Sequence, residues 1–303
     1  MAGTLDIKRR INSIKNTKKV TKAMEIVSAA KMKKSTDRVI ALRPYANAMY
    51  EMFANIAPNV AKEHPLLASR EVNKVVVVVI ASNKGLCGSF NSALAKLVRE
   101  ITLNKHILSE NKEVVVDFVT VGKKADKMVK LSGYNPIASF PEIIDKRTSE
   151  SIIPLVKFVF DSFEKGEYDK VVLVYTDYVN ALVQNQKVRQ LLPVSKKDLA
   201  SQLKEMDSID SNDSFVEKKD YLLEPSSEEV LEDLVPRVLE SQVLHALLES
   251  NASEESARMM AMKNATEAAS DIVDSLTLTY NKLRQAKITQ EISEISAGSA
   301  ALE

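Results

Sequence analysis

The apolar residues near the start of the chain recur at steps of three and four. Val39, Leu42, Ala46, Met49, Phe53 and Ile56 follow this rhythm, as do Ile7, Ile11 and Ile14, and later Val20, Met24 and Val27. A three-four repeat lays an apolar seam along one side of a helix, the pattern by which two helices wind together. It predicts a helix from about Thr4 to Ala57. Thr4 is its N-cap, and Asp6 lies in the first turn, where the helix dipole favours an anion. Pro44 interrupts the pattern and is expected to kink the helix or remove one hydrogen bond. Pro58 reads as its stop.

The same rhythm returns at the other end. Met259, Met262, Thr266, Ala269, Val273, Leu276, Tyr280 and Leu283 alternate three and four, and Ile288, Ile292 and Ile295 resume the stripe after a shift of phase. A helix from about Ser227 to Ala300 follows, with Pro236 in its early turns. At 1.5 Å per residue, the roughly 60 residues beyond Pro236 reach about 90 Å, more than a small domain is wide. A helix this long with a narrow apolar stripe needs a partner helix. The only comparable one is the first arm, so the two arms are expected to pair antiparallel.

The middle, 73–194, has a different texture. Val75 to Ile80 is an unbroken β-branched run, the mark of a strand covered on both faces. Phe90 to Glu110 has helical spacing, Val114 to Val121 reads as a second strand, and Lys123 to Leu131 as a short helix. Ser149 to Glu164 reads as a longer helix, Lys170 to Thr176 as a third strand, and Val183 to Leu192 as a fourth. Strands alternating with helices predict an α/β layer with a mostly parallel sheet. Residues 195–226 turn polar and acidic and read as a linker. The expected organisation is a helical shaft from 1–60 and 227–303, an α/β domain at 73–194, and the linker between them.

Composition sharpens this picture. Seven glycines occur in 303 residues, leaving 4–84 and 167–297 glycine-free, and no proline follows Pro236. Five of the seven glycines thus fall in the middle, and long helices are allowed at both ends. The formal net charge is +1, so no global field points to nucleic acid or a membrane surface. Cys87 is the one cysteine, which excludes an intramolecular disulfide. Val75 to Ala81, the longest apolar run, is far too short to span a bilayer. No N-terminal segment reads as a signal peptide, so any membrane link is expected to run through partners.

Catalytic constellations are missing. His64, His106 and His245 have no metal-ligand spacing, and Cys87 has no His or Cys beside it. The sharpest local feature is Ser82 to Asn91, a strand-to-helix passage containing Gly85, Leu86, Cys87 and Gly88. Backbone N–H groups at such a passage can hold phosphate, but the segment matches neither the dinucleotide fingerprint nor the P-loop. The plainer reading is a tight turn in which Gly85 and Gly88 supply positive φ or close packing. Between Lys8 and Arg38 stand eleven Lys and Arg against only Glu25 and Asp37. Three readings fit such a basic arm: a solvated face, a nucleic-acid binder lacking stacking aromatics, or a cationic shaft entering an electronegative channel of a protein partner.

Four separated segments resemble the gamma subunits of F-type ATP synthases: Ile11 to Met24, Gly85-Leu86-Cys87-Gly88, Ala252 to Met262, and Leu278 to Ala286 continuing through Ile288 to Ile292. The resemblance spans the chain and is weakest between about 100 and 220. The family's Asp-Arg before the glycine turn is Asn83-Lys84 here, its Gly-Ala near the end is Gly298-Ser299, and an aromatic before Glu-Pro is Leu223. The resemblance implies a non-catalytic rotor subunit without a cofactor. Its terminal helices would form a coiled coil inside a ring of alpha and beta subunits, and its Rossmann-like middle would join epsilon and the membrane c-ring. It implies contacts with the alpha/beta ring at Met24, Arg284, Gln285, Ile292, Ile295, Ala300, Ala301 and Leu302, and with the c-ring or epsilon at Tyr221 and Glu224. It also implies peripheral attachment at the cytoplasmic face of a bacterial inner membrane, in a machine that couples proton movement to ATP synthesis or hydrolysis. The competing expectation is a phosphate- or nucleotide-binding α/β enzyme with helical dimerisation arms.

Overall fold

The computed structural model describes residues 4–60, 70–108, 114–194, 224 and 226–300. Two long helices, α1 (Thr4–Val60) and α6 (Ser227–Ala300), carry the ends of the chain. The chain divides into two compact units, Lys31–Ala257 and Met1–Ala30 with Arg258–Glu303.

The larger unit is built on a five-stranded sheet. Its strands are β1 (Lys74–Ile80), β2 (Val115–Val121), β3 (Ala138–Ser139), β4 (Lys170–Tyr178) and β5 (Gln184–Leu192), in the order β3-β2-β1-β4-β5. The β1–β2, β1–β4 and β2–β3 pairs are parallel, and only β4–β5 is antiparallel. The helices between them are α2 (Phe90–Leu103), α3 (Lys123–Leu131), α4 (Ile143–Lys146) and α5 (Ser149–Glu164).

Strand β1 explains the layering. Its alternate side chains divide between two cores, as the pleat requires. Val75, Val77 and Val79 pack with Leu94, Val98 and Ile101 of α2 and with Val129 of α3. Val76, Val78 and Ile80 pack with Ile152, Leu155 and Val159 of α5. That second core also takes Ala46, Met49, Phe53 and Ile56 of α1, and Leu231, Leu234, Val235, Val238 and Leu239 of α6. The apolar stripe of the first arm is therefore the face by which α1 joins the sheet. Phe53 is fully buried, and its truncation to Ala would cost about 3–5 kcal/mol.

Three element ends differ from expectation by two residues or more. Helix α1 continues to Val60, past Pro58, and remains helical through Pro44. Proline lacks only its own N–H, so such a helix loses one bond and need not end. Helix α2 ends at Leu103 rather than Glu110, because Asn104 leaves the helical region (φ −122°, ψ 83°) and a 3₁₀ turn, Lys105–Ile107, follows. Strand β4 runs two residues beyond Thr176. The short elements β3 and α4 had no periodicity to announce them. Of the acidic stretch 195–226, all but Glu224 and Ser226 lies outside the described residues.

In the smaller unit, α1 and α6 lie side by side and antiparallel. Lys18 Nζ donates to Ser270 Oγ at 2.9 Å, and Thr21 Oγ1 lies 2.8 Å from Thr266 Oγ1. Moving forward three residues on α1 moves back four on α6. On α6 the seam is the expected one: Met262 and Ala269 are buried, while Thr266, Val273, Leu276 and Tyr280 are half-buried. On α1 the seam is Ile7, Ile11, Ile14, Lys18, Thr21, Met24 and Ser28, all buried or half-buried. Val20 and Val27, expected in it, are 58% and 53% exposed. The three-four rhythm holds, but polar residues occupy it where valines were expected.

Candidate interaction surface

The turn after β1 is held from inside. Ser82 Oγ, buried, donates to Lys84 O at 2.6 Å and accepts from Asn91 Nδ2 at 2.8 Å, and Asn91 also reaches Cys87 Sγ at 3.0 Å. Asn83 Nδ2 donates to Pro141 O at 2.9 Å and to Asp145 Oδ2 at 3.0 Å, while its Oδ1 accepts from the Lys123 N–H at 2.9 Å. These side-chain groups are occupied in tying the turn to α3 and α4. Gly88 has φ 55°, a conformation that glycine adopts without penalty, whereas Gly85 has neither a positive φ nor a neighbour that a Cβ would meet. Leu86 takes the left-handed conformation instead, at φ 63°, with its side chain exposed.

Past the apolar stretch of α6, the buried residues change character. Asn251, Ser253, Glu254, Glu255 and Ser256 are all buried. Glu254 Oε2 lies 3.5 Å from Arg147 Nη2, and Glu255 Oε1 lies 4.0 Å from Lys31 Nζ. Asn251 Nδ2 donates to Ser35 Oγ, Ser253 Oγ to Thr176 O at 3.3 Å, and Ser256 Oγ to Ala181 O at 2.8 Å. Thus α6 covers the C-terminal end of β4, beside the point where the chain order reverses between β1 and β4. In open α/β sheets that crevice is where ligands usually sit.

A second polar group lies between α6 and the β4–β5 pair. His245 Nδ1 is 3.3 Å from Glu249 Oε2, Lys187 Nζ is 2.9 Å from Asp177 Oδ2, and the Arg189 guanidinium lies over the Tyr175 ring at 5.6 Å. Burial and the neighbouring Glu249 push the Asp177 carboxyl above its ordinary range, against the pull of Lys187. Burial also pushes Glu249 up, but His245, Arg189 and Asp177 more than offset it, and its carboxyl sits below the usual range. Among the described residues, no cluster of His, Cys, Asp and Glu is arranged to hold a metal, and no helix is long and apolar enough to cross a membrane.

The helix pair offers two surfaces. One is a groove of about 970 Å³ walled by Lys15, Lys18, Lys19 and Lys22. Of these lysines, Lys22 pairs with Glu25 at 2.9 Å and Lys18 reaches Ser270 Oγ. The other is the far end of α6. From Lys282 to Ala297 every side chain is exposed, including Ile292 at 58% and Ile295 at 73%.

The residues singled out by resemblance are dispersed. Met24 is half-buried in the helix seam, Arg284 and Gln285 are exposed, and Glu224 is exposed. Ala300 ends α6, and Tyr221, Ala301 and Leu302 lie outside the described residues. The pairing of half-buried Arg147 with buried Glu254 escaped sequence reasoning. A run such as Asn251 to Ser256 has the composition of a solvated face, and only its position beside an apolar helix stretch hinted otherwise.

The chain thus combines a long antiparallel helix pair with a mostly parallel α/β layer, and among the described residues no second helix covers the far end of α6, the architecture of a subunit built for assembly. The ATP synthase family profile matches residues 4–302. The chain is 40% identical over 304 residues to the ATP synthase gamma chain of Pelotomaculum thermopropionicum, covering 100% of both chains. It is 38% identical over 306 residues to that of Chloroflexus aurantiacus, covering 100% of this chain and 99% of the relative. A chain in a cryo-EM structure of the Tetrahymena thermophila mitochondrial ATP synthase central stalk and c-ring superposes with a TM-score of 0.57 at 26% identity, covering 81% of this chain and 99% of that one. The chain belongs to the ATP synthase gamma-chain family.

Proposed function

We propose that this chain is the central rotor shaft of a proton-translocating F-type ATP synthase and is not itself catalytic. It transmits torque between a membrane c-ring and a catalytic ring of alpha and beta subunits. The observation that carries this reading is the end of α6, where Ile288, Ile292 and Ile295 stand exposed and no helix among the described residues covers them. An apolar stripe of this kind requires a collar, and the lysine-walled groove suits an electronegative channel around it. An asymmetric shaft contacts each surrounding subunit differently, and differential contact is what biases conformational equilibria.

In this reading the shaft comprises 1–60 and 227–303, the α/β domain 73–194, and the acidic linker 195–226. Met24, Arg284 and Gln285 meet the beta subunits near the neck, where Arg284 can form charge-assisted bonds with carboxylates. Ile292, Ile295, Ala300 and Leu302 turn in the collar. Tyr221 and Glu224 face the c-ring and epsilon. Membrane association runs through these partners, at the cytoplasmic face of a bacterial inner membrane. The nucleotide-enzyme alternative loses support from the turn at Ser82 to Asn91, whose side-chain polar groups are spent internally, and from α6 lying over the end of β4.

Co-expression with alpha and beta subunits, followed by native mass spectrometry and an ATPase assay, tests the proposal. A single copy per ring, with hydrolysis that depends on it, is expected. A chain that stays unbound while the isolated protein binds nucleotide would overturn it.

A further inference from the structure

A shaft that carries torque from an α/β layer needs a joint that does not slip. Between the sheet and the helices, most contact is apolar. Such contact is strong but non-directional, so it resists separation better than sliding. The contacts change at the last turns of the larger unit, where Glu254 is 5% exposed and faces Arg147, and Glu255 faces Lys31. An ion pair with a buried carboxylate has a more defined geometry than apolar contact, so it resists sliding as well as separation.

Arg147 is presented in an unusual way. It caps α4 at φ 53°, the left-handed region disfavoured for residues with a side chain. Strained conformations persist where the surroundings over-determine them. Here the Arg147 N–H donates to Ile143 O at 2.9 Å, and Asn83 clasps both sides of the same short segment, at Pro141 O and at Asp145. Asn83 is itself fixed from α3 by the Lys123 N–H. A continuous chain of contacts therefore runs from the β1–α2 turn through α4 to Arg147 and into α6.

Resting on the rotor reading above, we propose that the Arg147–Glu254 pair is the clamp that locks the α/β layer to α6 against shear, with Asn83 as the positioning residue that aims Arg147. The role of the turn after β1 is then mechanical. It sets the clamp and binds no ligand.

The test uses the complete synthase in inverted membrane vesicles, with ATP hydrolysis and ATP-driven proton pumping measured side by side. Arg147→Ala and Glu254→Gln should keep at least half of the hydrolysis rate while pumping per ATP falls several-fold. Arg147→Lys, which keeps the charge but not the fork, should fall between. Asn83→Ala, which removes the bonds to Pro141 O and Asp145, should lower the same ratio, and the paired exchange Arg147→Glu with Glu254→Arg should recover part of the loss seen in Arg147→Ala. If Arg147→Ala fails to assemble, Arg147→Lys and Asn83→Ala still report. Pumping and hydrolysis falling in parallel, or an unchanged ratio in every variant, would overturn the clamp. A wild-type chain that confers neither activity would instead overturn the rotor reading.

Discussion

Thr21 Oγ1 on α1 and Thr266 Oγ1 on α6 lie 2.8 Å apart in the seam of the helix pair, at positions where a coiled coil usually carries apolar side chains. The backbone carbonyls of Lys18 and Met262 also lie within reach of Thr21 Oγ1 and Thr266 Oγ1, so two hydroxyl hydrogens are shared among three acceptors. Replacing both partners of such a pair by apolar groups of the same shape is close to neutral or stabilising. Thr21→Val with Thr266→Val should therefore leave the thermal midpoint unchanged or raise it, by at most about 1 kcal/mol of stability. A loss larger than that would show that the hydroxyl pair is needed to set the register.

The glycines should separate by backbone requirement. A Cβ on Gly122, at φ 101°, would strike the Ala81 carbonyl oxygen. Gly122→Ala should cost on the order of 3 kcal/mol or more, through strain and overpacking together. Gly88→Ala forces a side chain into the left-handed region at φ 55°, for about 1–2 kcal/mol. Gly85→Ala meets open space without a positive φ and should stay within about 0.5 kcal/mol. Urea unfolding of the three variants checks the ranking, and equal losses at Gly85 and Gly122 would contradict it.

Asp177 gives a pH signature. Its carboxyl is held above the ordinary range by burial and by Glu249. The folded state thus binds this proton more tightly than the unfolded chain does. The resulting stability is fully present below the unfolded value and is lost as pH rises through the folded one. Asp177→Asn does not titrate, so its stability relative to wild type should increase between acid and neutral pH. Loss of the Lys187 contact adds an offset that shifts the whole difference without reversing its slope. A difference that is flat with pH, measured by chemical unfolding at several pH values, would contradict this.

Much of the fold was legible because burial and hydrophobicity agreed. The β-branched run of β1 needed cover on both faces, and the Ala46-to-Ile56 part of the first stripe lies in the apolar core. The α1 seam was misread at Val20 and Val27 because pattern reading counts apolar residues, while Lys18, Thr21 and Ser28 fill the seam through hydroxyl pairing and a long flexible stem. Helix α2 was overextended because a 3₁₀ turn prolongs helical spacing past the true end. The candidate surface was only partly legible. Exposed isoleucines on α6 follow from the length of the stripe, but the buried Glu254 becomes visible only once Arg147 is brought to it from far along the chain.

Helix continuity in α6 bears on transmission. Val273 lies mid-seam and half-buried. Val273→Pro removes a helix hydrogen bond and clashes with the preceding turn, at a cost of about 3 kcal/mol or more. The variant should not incorporate into the complex, as read by co-purification with alpha and beta. Normal incorporation would mean that the shaft does not depend on an unbroken helix.

The neck is tested by Arg284, which stands exposed on α6. Arg284→Ala should lower coupled ATP turnover while leaving subunit assembly intact. Unchanged turnover in a complete complex would remove Arg284 from the contact.

The most direct test of the rotor assignment is a single-molecule rotation assay. The ring of alpha and beta subunits is fixed to a surface, and a bead is attached to the α/β layer of this chain through an introduced cysteine at exposed Leu103, with Cys87 replaced by Ser. Sustained rotation in one direction on addition of ATP is the predicted result. A bead that only fluctuates about one angle, on complexes that hydrolyse ATP at the normal rate, would contradict the assignment.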